Sequence, residues 1–159
     1  MSELLVGPFN RVEGDLEIRL TTDAGRVSAA YVNSPLFRGF EMMLLGKDPR
    51  DALTLTPRIC GICSISQSAA AARALAAAQG ITPTPEGART AAIIHAVENL
   101  SDHLTHFNLF FMCDFTRPVY VTHAWHPRAV KRFTAMQGSA VRQAVEARAA
   151  LMHILGLLA

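Results

Sequence analysis

Thr84-Pro85-Glu86-Gly87-Ala88-Arg89-Thr90-Ala91-Ala92-Ile93-Ile94-His95-Ala96-Val97-Glu98-Asn99-Leu100-Ser101-Asp102-His103-Leu104-Thr105-His106-Phe107 is the stretch that decides the fold. Thr84 offers a capping hydroxyl, and Pro85 supplies a φ already suited to a first helical turn. Ile93, Val97, Leu100, Leu104, Phe107 and Phe111 recur at intervals of three and four, which predicts one long helix from about Pro85 to Cys113 with an apolar stripe. A second stripe, His95, Asn99, His103, His106, Phe110 and Cys113, is half polar. Buried, it would need partners that this helix cannot supply to itself.

Upstream, Ser64–Gln79 carries eight alanines and stops at Gly80, so a helix with a smooth face suited to close packing is expected. Before it, Glu41–Leu45 reads as a short helix stopped by Gly46. Asp48-Pro49-Arg50 opens a second, with Asp48 as cap. Residues 4–33 alternate with a period of two: Leu16, Ile18 and Leu20 share one face, and Glu17, Arg19 and Thr21 share the other. Asp23-Ala24-Gly25 makes the turn of a β-hairpin. Downstream, Arg117-Pro118 ends the long helix, and Trp125-His126-Pro127 marks a loop before a last amphipathic helix running to the terminus. The expected class is α+β, mostly α: an antiparallel hairpin or small sheet over about residues 1–35, then a bundle of long helices over about 36–159.

Half of the 159 residues are hydrophobic, enough for one core. Lys and Arg number 15 against 13 Asp and Glu, a net charge of +2, and no basic run exceeds two residues. Nucleic acid therefore has no electrostatic footprint here. The apolar runs around Ala69–Ala78 and Leu109–Met112 are too short or interrupted to span a bilayer. Met1-Ser2-Glu3-Leu4-Leu5 lacks the basic start and apolar run of a signal peptide, and three cysteines suit a reduced compartment. A cytoplasmic location is expected.

Cys60-Gly61-Ile62-Cys63 places two thiols one turn apart at the mouth of the alanine-rich helix. Free backbone N–H groups and the helix dipole would stabilise their thiolates there, with Arg58 adding a cation. Alone, the pair suits a reversible disulfide, a soft-metal site or an inert buried pair. Leu53-Thr54-Leu55-Thr56-Pro57 is a poor strand, which weakens the redox reading. Zinc would need two further ligands, since Cys113 lies fifty residues away on another element. His103 and His106, spaced three apart, could supply them, or could be satisfied by hydrogen bonds within the core. For His95, His123, His126 and His153, structural or solvated roles are expected. Glu13 and Glu41 read by default as surface acids, the latter in a first helical turn.

The order of these pieces resembles the large subunit of nickel–iron hydrogenases. Four blocks carry the resemblance: Arg11-Val12-Glu13-Gly14, Arg38-Gly39-Phe40-Glu41, Asp48-Pro49-Arg50-Asp51-Ala52 leading into Arg58-Ile59-Cys60-Gly61-Ile62-Cys63, and Asp102-His103-Leu104-Thr105-His106-Phe107. From Cys113 onward no block adds to it. The resemblance implies that Cys60 is a terminal thiolate on nickel and that Cys63 bridges nickel and iron, the iron carrying small diatomic ligands. It implies that Glu13 relays protons and that Glu41 binds magnesium. Arg58, Gln67, His103 and His106 would support the metals from behind their ligands. It further implies that dihydrogen splits heterolytically, with electrons leaving through an iron–sulfur small subunit.

Two departures point within the family. Gln67 stands four residues after Cys63, where many members carry histidine. Ile62 and Phe110 stand where oxygen-sensitive members carry Val and Leu along the gas path. Both resemble the hydrogen-sensing branch, which implies a signalling partner, with an uptake hydrogenase as the alternative. A free-standing Cys-x-x-Cys redox or zinc module is the distant one. The family's second cysteine pair is absent, and His153-Ile154-Leu155-Gly156-Leu157-Leu158-Ala159 ends apolar without a cap. The expectation is a truncated N-terminal portion that by itself neither assembles the centre nor turns over.

Overall fold

The structure is a computed structural model describing residues 2–9 and 14–158. It divides into two compact units, Met1–Gly39 and Phe40–Ala159. In the first, β1 (Ser2–Phe9), β2 (Leu16–Asp23) and β3 (Arg26–Asn33) form an antiparallel sheet in the order β1-β2-β3. The period of two sets the register: Leu20 faces Leu4 and Ala30, and Ile18 faces Val6 and Val32. On the other face Arg19 reaches Glu3 at 3.2 Å and lies over the ring of Tyr31. The turn is made by Ala24 and Gly25, both at positive φ (47° and 76°), as a two-residue hairpin loop demands. The expected hairpin is present, with β1 as a third strand.

The second unit opens with α1 (Phe40–Leu44), which ends before Gly46 at φ 72°. A 3-10 turn, Pro49–Asp51, leads into α2 (Ala52–Leu55), and the Asp48 carboxylate accepts the Arg50 N–H at 2.9 Å as the cap. A second 3-10 turn, Thr56–Arg58, precedes the cysteines. α3 (Ser64–Gln79) closes on Gly80 in the left-handed region, and α4 (Pro85–Thr105) opens on Thr84, whose hydroxyl accepts the Gly87 N–H at 3.1 Å.

Two expectations fail along the helices. The long helix does not run on to Cys113: after Thr105 the chain widens into a π segment, His106–Phe111, and tightens into a 3-10 segment, Met112–Thr116. Each change of pitch rotates the faces, so stripes counted through residue 105 lose their phase. Nor is the last helix continuous. α5 (His126–Phe133) and α6 (Ser139–Leu158) are separated by a turn in which Met136 takes φ 62° and Gly138 sits so close beneath the Arg132 carbonyl that a Cβ would overlap it. Gly138 fixes that break because only a bare α-carbon fits.

The buried face of α4 is also not the expected one. Val97 is buried, but Ile93, Leu100 and Phe107 of the apolar stripe are exposed, and the other two buried positions are Glu98 and Ser101. α3 and α6 pack against that polar side. The apolar core among the described residues lies instead where α5 meets α6, with Ala129, Phe133 and Ala140 packed on Met112. The alanine-rich face of α3 buries no residue completely.

Candidate metal centre

The cysteine turn is built by the two 3-10 and α turns before it. Cys63 takes the cap position of α3 without giving a side-chain cap bond. Instead the Cys63 N–H donates to Cys60 Sγ at 3.3 Å, which closes the turn around the first sulfur. Gln67 Nε2 donates to Cys63 Sγ at 3.6 Å, and the Gln67 N–H donates to the Cys63 carbonyl at 3.0 Å. Both thiols are free and half-buried, so two soft donors stand one turn apart with a sulfur lone pair each still to offer.

The first turn of α3 contains no acidic residue, and its orphan N–H groups would ordinarily face the thiolates. They do not. Glu98 reaches across from α4, 33 residues along the chain, and takes the Ile65 N–H at 2.6 Å, the Ser66 N–H at 2.8 Å and the Ser66 hydroxyl at 2.5 Å. Glu98 is only 6% exposed. The expectation that the helix mouth stabilises the thiolates is therefore corrected at Cys63. Burial pushes that thiol above its ordinary value, with the Cys60 bond and the charges of Cys60 and Glu98 adding to it and the Gln67 amide opposing. Glu98 went unrecognised in the sequence because it sits beside Val97 in an apolar-periodic helix. The signal was the missing cap on α3.

Behind the turn lies a cavity of about 320 Å³. Ile62 and Phe110 both line it, as does a polar seam of Glu98, Ser101 and Asp102 at spacings of three and four on α4. Arg148 of α6 borders it. Ser101 Oγ, on a residue 4% exposed, has no hydrogen-bond partner among the described residues.

The other candidates are not gathered here. His103 and His106 are exposed and line a separate groove with Leu100, Leu104, Phe107 and Phe111, which shares no residue with the cavity. His106 stacks on Phe110 with ring centroids 6.2 Å apart. His95, for which a structural or solvated role was expected, meets Ser66 Oγ at 3.1 Å beside Glu98. Arg58 is exposed at the end of its 3-10 turn, two residues before Cys60. Glu41 is exposed in the first turn of α1, and Glu13 lies outside the described residues. Among the described residues no group of three His, Cys, Asp or Glu could hold a metal ion. No described helix is long and apolar enough to cross a membrane. The donor set fits one half of a thiolate-bound soft-metal site: two sulfurs, prearranged, with room for further ligands.

Comparison with known proteins agrees with that chemistry. The profile of the nickel-dependent hydrogenase family matches residues 38–154. The periplasmic [NiFeSe] hydrogenase large subunit of Desulfomicrobium baculatum is 34% identical over 115 residues, 72% of this chain and 22% of that protein. The uptake hydrogenase large subunit of Rhodobacter capsulatus is 32% identical over 135 residues, 84% of this chain and 22% of that one. Among solved structures, the Ni-Fe-Se hydrogenase of D. vulgaris Hildenborough in its reduced state superposes with a TM-score of 0.70 at 27% identity, over 98% of this chain and 34% of that chain. The actinobacterial-type NiFe-hydrogenase of Ralstonia eutropha H16 gives 0.73 at 25% identity, over 99% and 32%. The chain thus spans about a fifth of the length of the curated relatives. It belongs to the nickel-dependent hydrogenase large-subunit family.

Proposed function

We propose that this chain supplies two of the thiolates of a nickel–iron centre, within a large subunit that splits dihydrogen and reports its presence. The observation that carries the reading is the cysteine turn, two free half-buried thiols closed on each other by the Cys63 N–H, with Gly61 and Ile62 between them lining a cavity. When bound, the metal pair supplies a Lewis-acidic, redox-active site for heterolytic cleavage of dihydrogen. Cys60 would hold nickel, and Cys63 would bridge nickel to an iron carrying small diatomic ligands. The Gln67 amide orients the Cys63 sulfur. Glu13 would take the proton at its carboxylate, Glu41 would offer oxygen to magnesium, and His103 and His106 would hold their helix against neighbouring parts of the subunit. An iron–sulfur small subunit would carry the electrons away.

The hydrogen-sensing reading is supported by Ile62 and Phe110, which line the same cavity and whose bulk would impede oxygen there more than dihydrogen. The uptake reading is supported by the names of the relatives. Replacing both residues, as Ile62→Val with Phe110→Leu, is expected to make hydrogen-dependent activity of the complete complex oxygen-sensitive. Unchanged tolerance, with a high turnover rate, favours the uptake role. A signalling partner and a cytoplasmic location belong to the sensing proposal, and fractionation of the native host checks the latter.

Metal analysis of the complete complex tests the reading itself. Nickel and iron, both lost on Cys60→Ser, support it, whereas zinc alone refutes it. Two thiolates cannot complete a four-thiolate site, so the 159-residue chain by itself is expected to give no hydrogen-dependent dye reduction.

A further inference from the structure

Glu98 is tied to more than the end of α3. The Ser66 hydroxyl has one proton, and it points at Glu98 Oε2 over 2.5 Å. His95 Nε2 lies 3.1 Å from Ser66 Oγ, and with the hydroxyl proton directed at Glu98 it is Nε2–H that donates in that contact. His95, Ser66 and Glu98 form an unbroken hydrogen-bonded line from a half-buried imidazole to a carboxylate on the cavity wall. On that wall, one turn further along α4, is the Ser101 hydroxyl, buried and without a partner among the described residues. A buried hydroxyl is rarely left so, and a cavity of about 320 Å³ with polar groups on one side has room for water to satisfy it.

We infer that Glu98, Ser66 and His95 are a proton wire, fed by water held at Ser101, which carries protons between the cavity beneath the cysteine turn and the surface. The step balances without any other reactant. A proton arrives from cavity water on the Glu98 carboxylate. Glu98 gives it to Ser66 Oγ, the hydroxyl passes its own proton to the lone pair of His95 Nε2, and the imidazolium releases a proton to solvent. The same heavy-atom contacts, Glu98 Oε2 to Ser66 Oγ and Ser66 Oγ to His95 Nε2, serve the states before and after this transfer, so it needs no rearrangement of the line. Asp102 of α4 and Arg148 of α6 are the other charged groups lining the cavity that Glu98 lines. The inference rests on the hydrogenase reading for the source of the protons. It adds a route that does not pass through Glu13.

Ser66→Ala separates the wire from the cap, because the Ser66 N–H still reaches Glu98 when the hydroxyl is gone. In the complete complex, Ser66→Ala is expected to slow hydrogen–deuterium exchange between dihydrogen and heavy water by at least about 10-fold, the low end of what losing a proton-transfer group does. Nickel content and the infrared bands of the metal centre should not change, and Ser66→Thr should restore the rate. Exchange within about twofold of wild type, with nickel retained, overturns the wire. A wild-type complex without nickel refutes the hydrogenase reading instead, and a second measurement then decides on the wire. In pH-jump infrared difference spectra of the chain, the Glu98 carboxyl band, assigned by its loss in Glu98→Gln, is expected to change together with the His95 imidazole band and to uncouple from it in Ser66→Ala. Bands that titrate independently in wild type overturn the inference.

Discussion

The two ends of the helical unit are held by opposite means. At the cysteine end, one buried carboxylate from α4 ties the first turn of α3 by three hydrogen bonds, to Ile65 and Ser66, which are half-buried. At the other end, rings do the work. Phe107 meets Phe133 edge-on at 6.4 Å, Phe111 meets Phe115 at 5.4 Å, and Phe115, Tyr120 and Trp125 pack among themselves. His126 is buried there, its Nε2–H donating to the Thr116 carbonyl at 3.2 Å. Apolar packing spreads its stabilisation over many contacts and tolerates small shifts. Hydrogen bonds to a single buried carboxylate are directional and fail together. The cysteine end is thus the brittle one, with the start of α3 depending on one side chain.

Substitutions at each end test the contrast. Phe133→Ala is expected to have the largest effect, about 3 kcal/mol in urea unfolding, by removing the ring at the centre of the α5–α6 contact. It should leave amide exchange at Ile65 and Ser66 almost unchanged in the folded state. Glu98→Ala should lower stability by about 2–3 kcal/mol, because two backbone N–H groups lose their acceptor where water reaches only in part. Here exchange at Ile65 and Ser66 should quicken strongly. Sharing no partner, the two substitutions should add within about 0.5 kcal/mol in the double variant, and a larger coupling would mean that the ends are not independent. Thr84→Ala, which removes an ordinary local cap, should lower stability by only about 1 kcal/mol. The smallest effect concerns the thiol. With its pKa held above the ordinary value, Cys63 presents less thiolate at neutral pH, so it should be alkylated more slowly than an unburied cysteine and should catch up as pH rises. Glu98→Gln, which removes a nearby negative charge, should quicken that reaction modestly.

Local signals predicted the local structure well. Asp48 and Thr84 cap because their own side chains reach amides two and three residues on, and Gly80 stops α3 because it enters the left-handed region without strain. Leu16, Ile18 and Leu20 share a face because alternation is a property of one strand. Cysteine spacing and the four ordered blocks likewise pointed to a metal-binding family before any coordinates. The π segment at His106–Phe111 left no comparable mark. Its pitch depends on what the ring cluster and α6 accept, and the stripes counted straight through it were misplaced.

The sequence by itself determined the strands, the helices up to Thr105 with their caps, the placement of two thiols on one turn and the family. Those depend on neighbours within about one helical turn, where chain geometry leaves few alternatives. Only the tertiary structure decided which face of α4 is buried, that Glu98 rather than the thiolates takes the amides of α3, that Ile62 and Phe110 share a cavity, and that Ser66 and His95 extend the carboxylate toward the surface. Each of these joins residues far apart in the chain, and the reason they meet is a demand no local pattern expresses: a buried donor must find an acceptor wherever the fold brings one.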